Sequence, residues 1–452
     1  MTGPAMFRKI LIANRGEIAV RVLRTCRELG IRTVVCYSTR DADSRAVQLA
    51  DETVRIGPPR AKLSYTNAAA VIQAALNTGA DAVHPGYGFL SEDPDFAEAC
   101  ELNGITLIGP PADVMAQLGN KVTARALMSS AGLPLLPGST DPLDLPGVTR
   151  LAAGIGFPLL IKAAAGGGGR GMDVAWDAAT LPEVFRRTQA TAATLFGDGR
   201  VYAERYLARA RHVEVQVLAD QHGSVLHLGE RDCSMQRRHQ KLIEESPAPA
   251  LPRELVERMR RAAVDGARSA GYQGAGTFEF LVDERGEFYF MEVNCRIQVE
   301  HPVTEMVTGI DLVAEQIRIA SGEPLTLTQD DIVLRGAAIE CRINAEDPDR
   351  RFAPAPGTIT DLALPGGPFV RVDTHVDAGY QVPPEYDSLV AKVIVWAPDR
   401  DGATARMRRA LDEITVTGPG VHTTTRFLHE LLTSPAWHKV THGTTYIDDL
   451  TG

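Results

Sequence analysis

Short apolar runs alternate with stretches of helical spacing over the first 115 residues, and this alternation constrains the fold more tightly than any other feature of the chain. Residues 10–13 and 33–37 are apolar runs of strand length. Between them Ile18, Val22 and Leu29, with Val20 and Leu23, recur at helical spacing until Gly30 ends the segment. The pattern continues with a helix over 68–76, a strand at 82–84, a helix over 95–102 and a strand at 106–108. Strands that alternate with helices lie parallel in a doubly wound sheet, because a parallel pair needs a crossover long enough to hold a helix. The first turn, Asn14-Arg15-Gly16, lacks the G-x-G-x-x-G pattern of dinucleotide-binding sheets, so an open α/β layer without that cofactor is expected. The run at 10–13 is also shorter than the roughly seven apolar residues a secretory signal needs, and it reads as a buried first strand.

Beyond residue 115 the pattern changes. Gly119-Asn120 opens a helix over 121–131, closed by Gly132 with Pro134 just beyond. Residues 136–206 read as strand-rich, a small separate lobe around a run of glycines. Residues 212–300 read as alternating strands with a helix near 253–270 and a hairpin at 277–294, and the tail after Pro324 as mostly β with a helix at 404–414. The expected domains are 1–115, 116–323 with 136–206 as a lid, and 324–452. That number agrees with 452 residues at about 150 per domain. A net charge of −10 argues against a nucleic-acid partner, and no stretch approaches the roughly 18 uncharged apolar residues of a membrane span. The six cysteines contain no C-x-x-C pair and read as reduced cytosolic thiols.

The glycine run, Ala165-Gly166-Gly167-Gly168-Gly169-Arg170-Gly171, fits G-x-G-x-x-G in form only. A strand-like stretch, Met172-Asp173-Val174, follows it where a helix would be needed, and no Gly-Lys-Ser/Thr is present. What remains is a glycine loop between two strands. Such a loop lets backbone N–H groups approach phosphate oxygens, with Lys162 and Arg170 supplying charge; a mobile surface hairpin is the plainer alternative.

The hairpin at 277–294 carries the sharpest chemical signal. With Arg285-Gly286 as a two-residue turn, Glu279 lies directly opposite Glu292, and Asn294 shares the face of Glu292. The other face, Phe278, Phe280, Met291 and Val293, is apolar. Two directly opposed carboxylates repel each other, and a divalent cation or a pair of them relieves the conflict. Oxygen-only ligands favour Mg²⁺ or Mn²⁺ bridging a nucleotide's phosphates. A solvated outer face is the alternative. If the strand continues, Arg296, Gln298 and Glu300 extend the same face. The dense polar run 231–241 adds either another solvated face or a strip for an anion.

Taken together, the segments 12–19, 84–92, the glycine run, 230–241, 296–305 and 340–346 make the chain resemble the biotin carboxylase family, the ATP-grasp component of biotin-dependent carboxylases. The resemblance covers nearly the whole length. It implies a doubly wound N-terminal α/β domain, an ATP-grasp core with a mobile lid, and a mostly β C-terminal domain. It further implies that ATP activates bicarbonate to carboxyphosphate, which carboxylates biotin at a ureido nitrogen.

By matching motif positions, the resemblance implies that ATP is bound by Lys121, Lys162, Gly168, Gly169, Glu204, Arg205, Tyr206, Leu207, His212, Gln236 and His239. Glu279, Glu292 and Asn294 would hold Mg²⁺ or Mn²⁺, with two ions expected. Lys241, Arg296, Gln298 and Val299 would bind bicarbonate, with Glu300 as its general base. Arg342 would stabilise the biotin enolate, and Arg21 and Tyr87 would lie near biotin. A homodimer is expected, with Arg24 and Glu28 at interface positions. The chain departs from the family pattern at Ala164-Ala165, where Ser-Gly is commoner, at Asn120 for Asp, and at Cys295 for Thr or Pro.

A biotin-bearing domain needs a Met-Lys pair, and none of the ten methionines is followed by lysine. Biotin is therefore expected on a separate carrier protein, and the carboxyltransferase on another polypeptide again. A cytoplasmic location is expected, as in acetyl-CoA carboxylase and fatty acid biosynthesis. Two other readings are weaker. The segment 296–305 and Arg342 count against a carbamoyl-phosphate or purine-pathway ATP-grasp ligase. The presence of Lys241, Arg296 and Glu300 counts against a non-catalytic nucleotide-binding protein.

Overall fold

The computed structural model describes residues 6–139, 141–164 and 171–451. Five parallel strands, β1 (Lys9–Ile12), β2 (Arg32–Ser38), β3 (Glu52–Gly57), β4 (Ala82–His84) and β5 (Thr106–Leu107), lie in the order β3-β2-β1-β4-β5. Helices Gly16–Glu28, Ala68–Thr78 and Pro94–Leu102 connect them, as the alternation predicts. Of the five strands, only β3 escapes the sequence reading. It is an edge strand whose one fully buried residue is Ile56, so no apolar run marks it. The strand order reverses between β1 and β4, where an open α/β sheet forms its binding crevice. The loops leaving these two strands are tied together there. Asn14 Nδ2 donates to Pro85 O and Tyr87 O, both at 2.7 Å, and Gly86 at φ +62° leaves no room for a Cβ, which would meet Asn14 Nδ2 at 2.9 Å.

The middle lobe is a three-stranded antiparallel sheet of β6 (Leu159–Ala163), β7 (Met172–Ala175) and β8 (Val201–Arg205) in the order β7-β6-β8. Helices Leu145–Ile155 and Leu181–Phe196 pack on it, where the sequence reading expects strands alone. Both helices begin Leu-Pro. Proline is a breaker inside a helix but is tolerated in its first turn, where its missing N–H has no partner to lose. The glycine loop at 165–170, with Gly168 and Gly169, lies outside the described residues.

The centre of the molecule is one antiparallel sheet of eight strands. It contains β9 (Arg211–Ala219), β10 (Val225–Arg237), β11 (Gln240–Ser246), β12 (Gly274–Val282), β13 (Phe288–Asn294) and β14 (Ala337–Asn344). The tail then adds the short ladders of β15 (Glu346–Asp347) with β16 (Ala353–Pro354) and of β17 (Asp361–Ala363) with β20 (Thr415–Thr417). Between them come β18 (Val370–Thr374) and β19 (Leu389–Ala397). The order β13-β12-β9-β10-β11-β14-β19-β18 makes the tail strands a continuation of the central sheet. The tail also holds helices Arg400–Glu413, Thr425–Thr433, Pro435–Lys439 and Tyr446–Thr451, more helix than the mostly β expectation.

One face of the β9–β12–β13 region packs on helix Arg253–Ser269, through Val213, Val215, Val217, Phe278, Phe280 and Phe290. The other face carries His212, Glu214, Gln216 and Glu279, which are buried as well. The β12–β13 turn is one residue longer than predicted. Asp283 N donates to Glu287 O and Gly286 N to Asp283 O, with Gly286 at φ +78°. Phe280 therefore faces Phe290, and a bulge at Met291 restores the pairing of Glu279 with Glu292. Phe290 takes the core place expected for Met291, which is half-buried at the cavity. Among the described residues no helix is long and apolar enough to cross a membrane.

Candidate active site

The crevice loops of the first sheet, the inner edge of the middle lobe and the polar face of the central sheet surround a cavity of about 1060 Å³. Lys121, Lys162, Glu204, Arg205, Tyr206, Leu207, His212, Gln236 and His239 line it. So do Lys241, Glu279, Glu292, Asn294, Arg296, Gln298, Val299, Arg342 and Tyr87. Among the described residues, two predicted ones do not. Glu300 is completely buried behind Lys241 and Arg342. Arg21 is buried and does not line the cavity, its Nη2 donating to Glu305 Oε1 and Asp311 Oδ1, both at 2.8 Å.

At one end of the cavity Lys162 Nζ lies 2.5 Å from Glu204 Oε1, and Arg125 Nη1 donates to Glu204 Oε2 at 2.9 Å. Burial would lower the Lys162 ammonium, but Glu204 holds it above the usual lysine range. Lys121 has no such partner among the described residues; burial and the nearby Lys162 push it down. The helix that begins at Lys121 is capped by Asn120 Oδ1, which accepts from Val122 N and Thr123 N. Asn120 thus does the work an aspartate would do. The Arg205 guanidinium is engaged with Ile155 O, and Tyr206 meets Trp176 edge-on at 5.8 Å.

Three carboxylates stand in a row across the sheet: Glu214 on β9, Glu279 on β12 and Glu292 on β13. Glu279 is the best satisfied. Its Oε1 accepts from Asn294 Nδ2 at 2.7 Å, Lys241 Nζ at 3.0 Å and Gln298 Nε2 at 3.1 Å, and its Oε2 lies 2.9 Å from His212 Nε2. Burial alone would raise its pKa, but Lys241 and His212 hold it well below the carboxylate range. Gln236 Nε2 lies 3.2 Å from His212 Nδ1, which leaves Nε2 as the proton-bearing atom toward Glu279.

Glu292 receives no hydrogen bond among the described residues. Burial and Glu279 raise its pKa, against Lys121 and Lys162. A half-buried carboxylate with no donor, opposite a second carboxylate and beside an amide, suits a hard divalent cation. Two tighter clusters, His212–Glu214–Glu279 and Glu214–Cys233–Glu300, already hold positive charge. Lys241 Nζ reaches Glu214 at 2.6 Å, Glu279 at 3.0 Å and Glu300 at 2.7 Å, and Arg231 Nε reaches Glu214 at 2.5 Å.

Strand β13 ends at Asn294, so Arg296, Gln298 and Glu300 do not extend its face as a strand. They reach the same place from a loop that runs into helix His301–Thr308. Arg296 donates through Nε to Glu92 Oε2 at 2.8 Å, through Nη1 to Gln298 Oε1 at 2.8 Å and through Nη2 to Asn294 Oδ1 at 3.1 Å. Glu300 Oε1 accepts from Lys241 and its Oε2 from Arg342 Nη2 at 2.9 Å. Burial works to raise the Glu300 pKa, yet Lys241, Arg342 and Arg231 hold it well below the usual range.

Sequence reasoning missed Glu92, Glu214, Arg231, Glu244 and Lys392. Arg231, in the polar run, is neither solvated nor an anion strip: it is completely buried and spans Glu214, Gln216, Thr277 and Thr304. The signal for Glu214 was there in the alternation His212-Val213-Glu214-Val215-Gln216, whose polar members share the face of Glu279.

Family models match almost the whole chain. "Biotin carboxylase, N-terminal domain" matches residues 6–115, "Carbamoyl-phosphate synthase L chain, ATP binding domain" residues 120–328, and "Biotin carboxylase C-terminal domain" residues 340–449. The chain is 53% identical over 445 residues to a biotin carboxylase from Nostoc sp., spanning 98% of this chain and 99% of that one. It is 51% identical over 445 residues to a pyruvate carboxylase subunit from Methanothermobacter thermautotrophicus, spanning 98% and 90%. Its fold is similar to that of a biotin carboxylase–β-γ-ATP complex from Campylobacter jejuni, with TM-score 0.95, 46% identity and coverage of 98% and 99%. A biotin carboxylase domain dimer of the Hydrogenobacter thermophilus 2-oxoglutarate carboxylase, in complex with MgADP, ADP and bicarbonate, gives TM-score 0.95 at 46% identity, covering 98% of each chain.

Proposed function

The chain belongs to the biotin carboxylase family, and from that premise we propose that it uses ATP and bicarbonate, through carboxyphosphate, to carboxylate a ureido nitrogen of biotin. The observation that carries this reading is the convergence of Lys241, Glu300, Arg296 and Arg342 beside the Glu279–Glu292 pair. Cations for a phosphate and an anion and a cation-ready carboxylate pair meet in one cavity, with a shielded carboxylate, Glu300, directly behind its wall.

Lys121 and Lys162 face the transferring phosphates, with Glu204, Arg205, Tyr206, Leu207, His212, Gln236 and His239 around the nucleotide. Glu279, Glu292 and Asn294 would hold a divalent cation, Mg²⁺ or Mn²⁺ and two ions in all, which neutralises phosphate charge as it develops. Arg296, fixed by Glu92, presents a planar fork to bicarbonate, and Lys241, Gln298 and Val299 complete that site. Glu300 takes the bicarbonate proton. The donors that hold its pKa low, Lys241 and Arg342, are also the cations an incoming anion attracts. As they turn to substrate, Glu300 becomes the stronger base. Arg342 then stands beside the biotin enolate, near Tyr87.

Biotin reaching this site on a separate carrier protein, with the carboxyltransferase as a further separate subunit, is supported by relatives of similar length that are named as subunits. A homodimer is supported by the Hydrogenobacter domain dimer and by Arg24 and Glu28, exposed one turn apart on helix Gly16–Glu28. We assign the working units as 1–115, 116–323 with 136–206 as the lid, and 324–452, and assign the protein to a cytoplasmic biotin-dependent carboxylase such as the acetyl-CoA carboxylase of fatty acid biosynthesis. The test is fixation of labelled bicarbonate onto free biotin by the purified protein at millimolar ATP and Mg²⁺. Label in biotin that requires both is expected; none would refute the reading.

A further inference from the structure

Next to Arg342 lies a pair of carboxyl groups with no part in the chemistry above. Glu244 on β11 and Glu340 on β14 are directly opposed across the antiparallel ladder, and both are completely buried. Glu244 Oε1 accepts from Arg342 Nε at 2.6 Å. Its Oε2 has no donor among the described residues, and neither oxygen of Glu340 has one. Facing carboxylates in a low-dielectric interior cannot both be ionised, and buried oxygens without donors are costly. A single proton between the two groups removes the repulsion and satisfies two of these three oxygens.

The surrounding charges decide which member carries it. Arg342 and Lys241 lie on the ladder strands themselves, Lys392 on the neighbouring β19, Asp373 on β18, Glu300 in the adjoining loop, and His301 on the helix packed over the sheet. Lys392 is committed elsewhere, 3.0 Å from Glu17 Oε1 and donating to Val299 O at 2.8 Å, and it forms no ion pair with Glu340. Asp373 is paired with Arg371 at 2.7 Å. Burial keeps His301 neutral, so it brings no positive charge. Lys241 serves Glu214, Glu279 and Glu300. Glu244 alone of the pair has a cation in contact. Burial raises Glu340 well above the carboxylate range in spite of Lys392, with Glu244 adding to the rise.

We propose that Glu340 is a protonated acid whose hydroxyl donates to Glu244 Oε2, and that this bond fixes Glu244 and, through it, Arg342. Glu340 is thereby a positioning residue for Arg342. Its value for the reaction rests on the function proposed above. When Glu300 takes a proton it ceases to be an anionic partner, and Glu244 then keeps Arg342 in place.

Infrared spectroscopy of the whole protein at neutral pH tests the proton directly, by subtracting the spectrum of Glu340→Gln from that of the wild type. A protonated-carboxyl C=O stretch that shifts in D₂O should appear in the difference. Its absence would overturn the proposal, whether or not the protein carboxylates biotin. The kinetic comparison is between Glu340→Gln, which keeps a donor of the same length, and Glu340→Leu, which keeps the bulk alone. The Leu variant should lose up to about a hundredfold in kcat for bicarbonate fixation with the KM for ATP unmoved, and the Gln variant far less. Equal losses in the two would overturn the positioning role. If the Leu variant does not fold, a Gln variant as impaired as Arg342→Ala would do so equally.

Discussion

At the scale of single residues, the site is governed by a shortage of positive charge. Lys241 is one ammonium shared by Glu214, Glu279 and Glu300, all fully or nearly fully buried. Removing it leaves buried carboxylates uncompensated, so Lys241→Met should cost about 3–5 kcal/mol in unfolding free energy. The pH dependence follows from Glu279 and Glu300, whose folded pKa values are depressed. Such groups add stability above their unfolded pKa, about 4.3, and lose it as pH falls through the folded value. The melting-temperature gap between wild type and Lys241→Met should therefore be widest near neutral pH and narrow as pH drops below about 5. A gap independent of pH would mean that Lys241 does not hold these carboxylates ionised. Arg296→Lys is predicted to raise the KM for bicarbonate while leaving the affinity for ATP near wild type. A lysine cannot at once reach Glu92, Asn294 and Gln298 and face an anion with a planar fork.

Among elements, the β12–β13 hairpin explains what could be read from the chain in advance. The pairing of Glu279 with Glu292 is legible because one strand face is acidic and the other aromatic. The turn length and the Met291 bulge are not, since each shifts the register by one residue and the two shifts cancel. The choice of Phe290 over Met291 for the core is made by packing against Phe280 and helix Arg253–Ser269. In the same way the contact of Glu214 with Arg231 and the opposition of Glu244 to Glu340 depend on strand pairings between distant segments, which local periodicity does not encode. The helices of the middle lobe were hidden by their opening prolines. That lobe has an apolar core of its own, including Val148, Leu159, Ile161 and Phe185, so a movement of the lobe as a unit would leave its packing intact. Amide exchange in β6, β7 and β8 should slow when a nonhydrolysable ATP analogue is added; unchanged protection would exclude closure of this lobe over the nucleotide.

For the whole molecule, the three stretches of chain are joined at the site and not merely beside it. The tail strands β14, β19 and β18 complete the central sheet, and Lys392 on β19 ties together Glu17 from the first stretch and Val299 from the second. Tyr87 Oη donates to the same Glu17 oxygen at 2.5 Å. Lys392→Met should lower the melting temperature, by loss of about 3–5 kcal/mol, through Glu17 left buried without its cation. Labelled-bicarbonate fixation in Glu300→Gln, on preparations matched to wild type in melting temperature and ATP affinity, tests most directly whether Glu300 serves this junction as the base of ATP-dependent carboxylation. A fall in kcat of about 10²–10⁴ is expected. A near-wild-type rate in that well-folded variant would contradict that role.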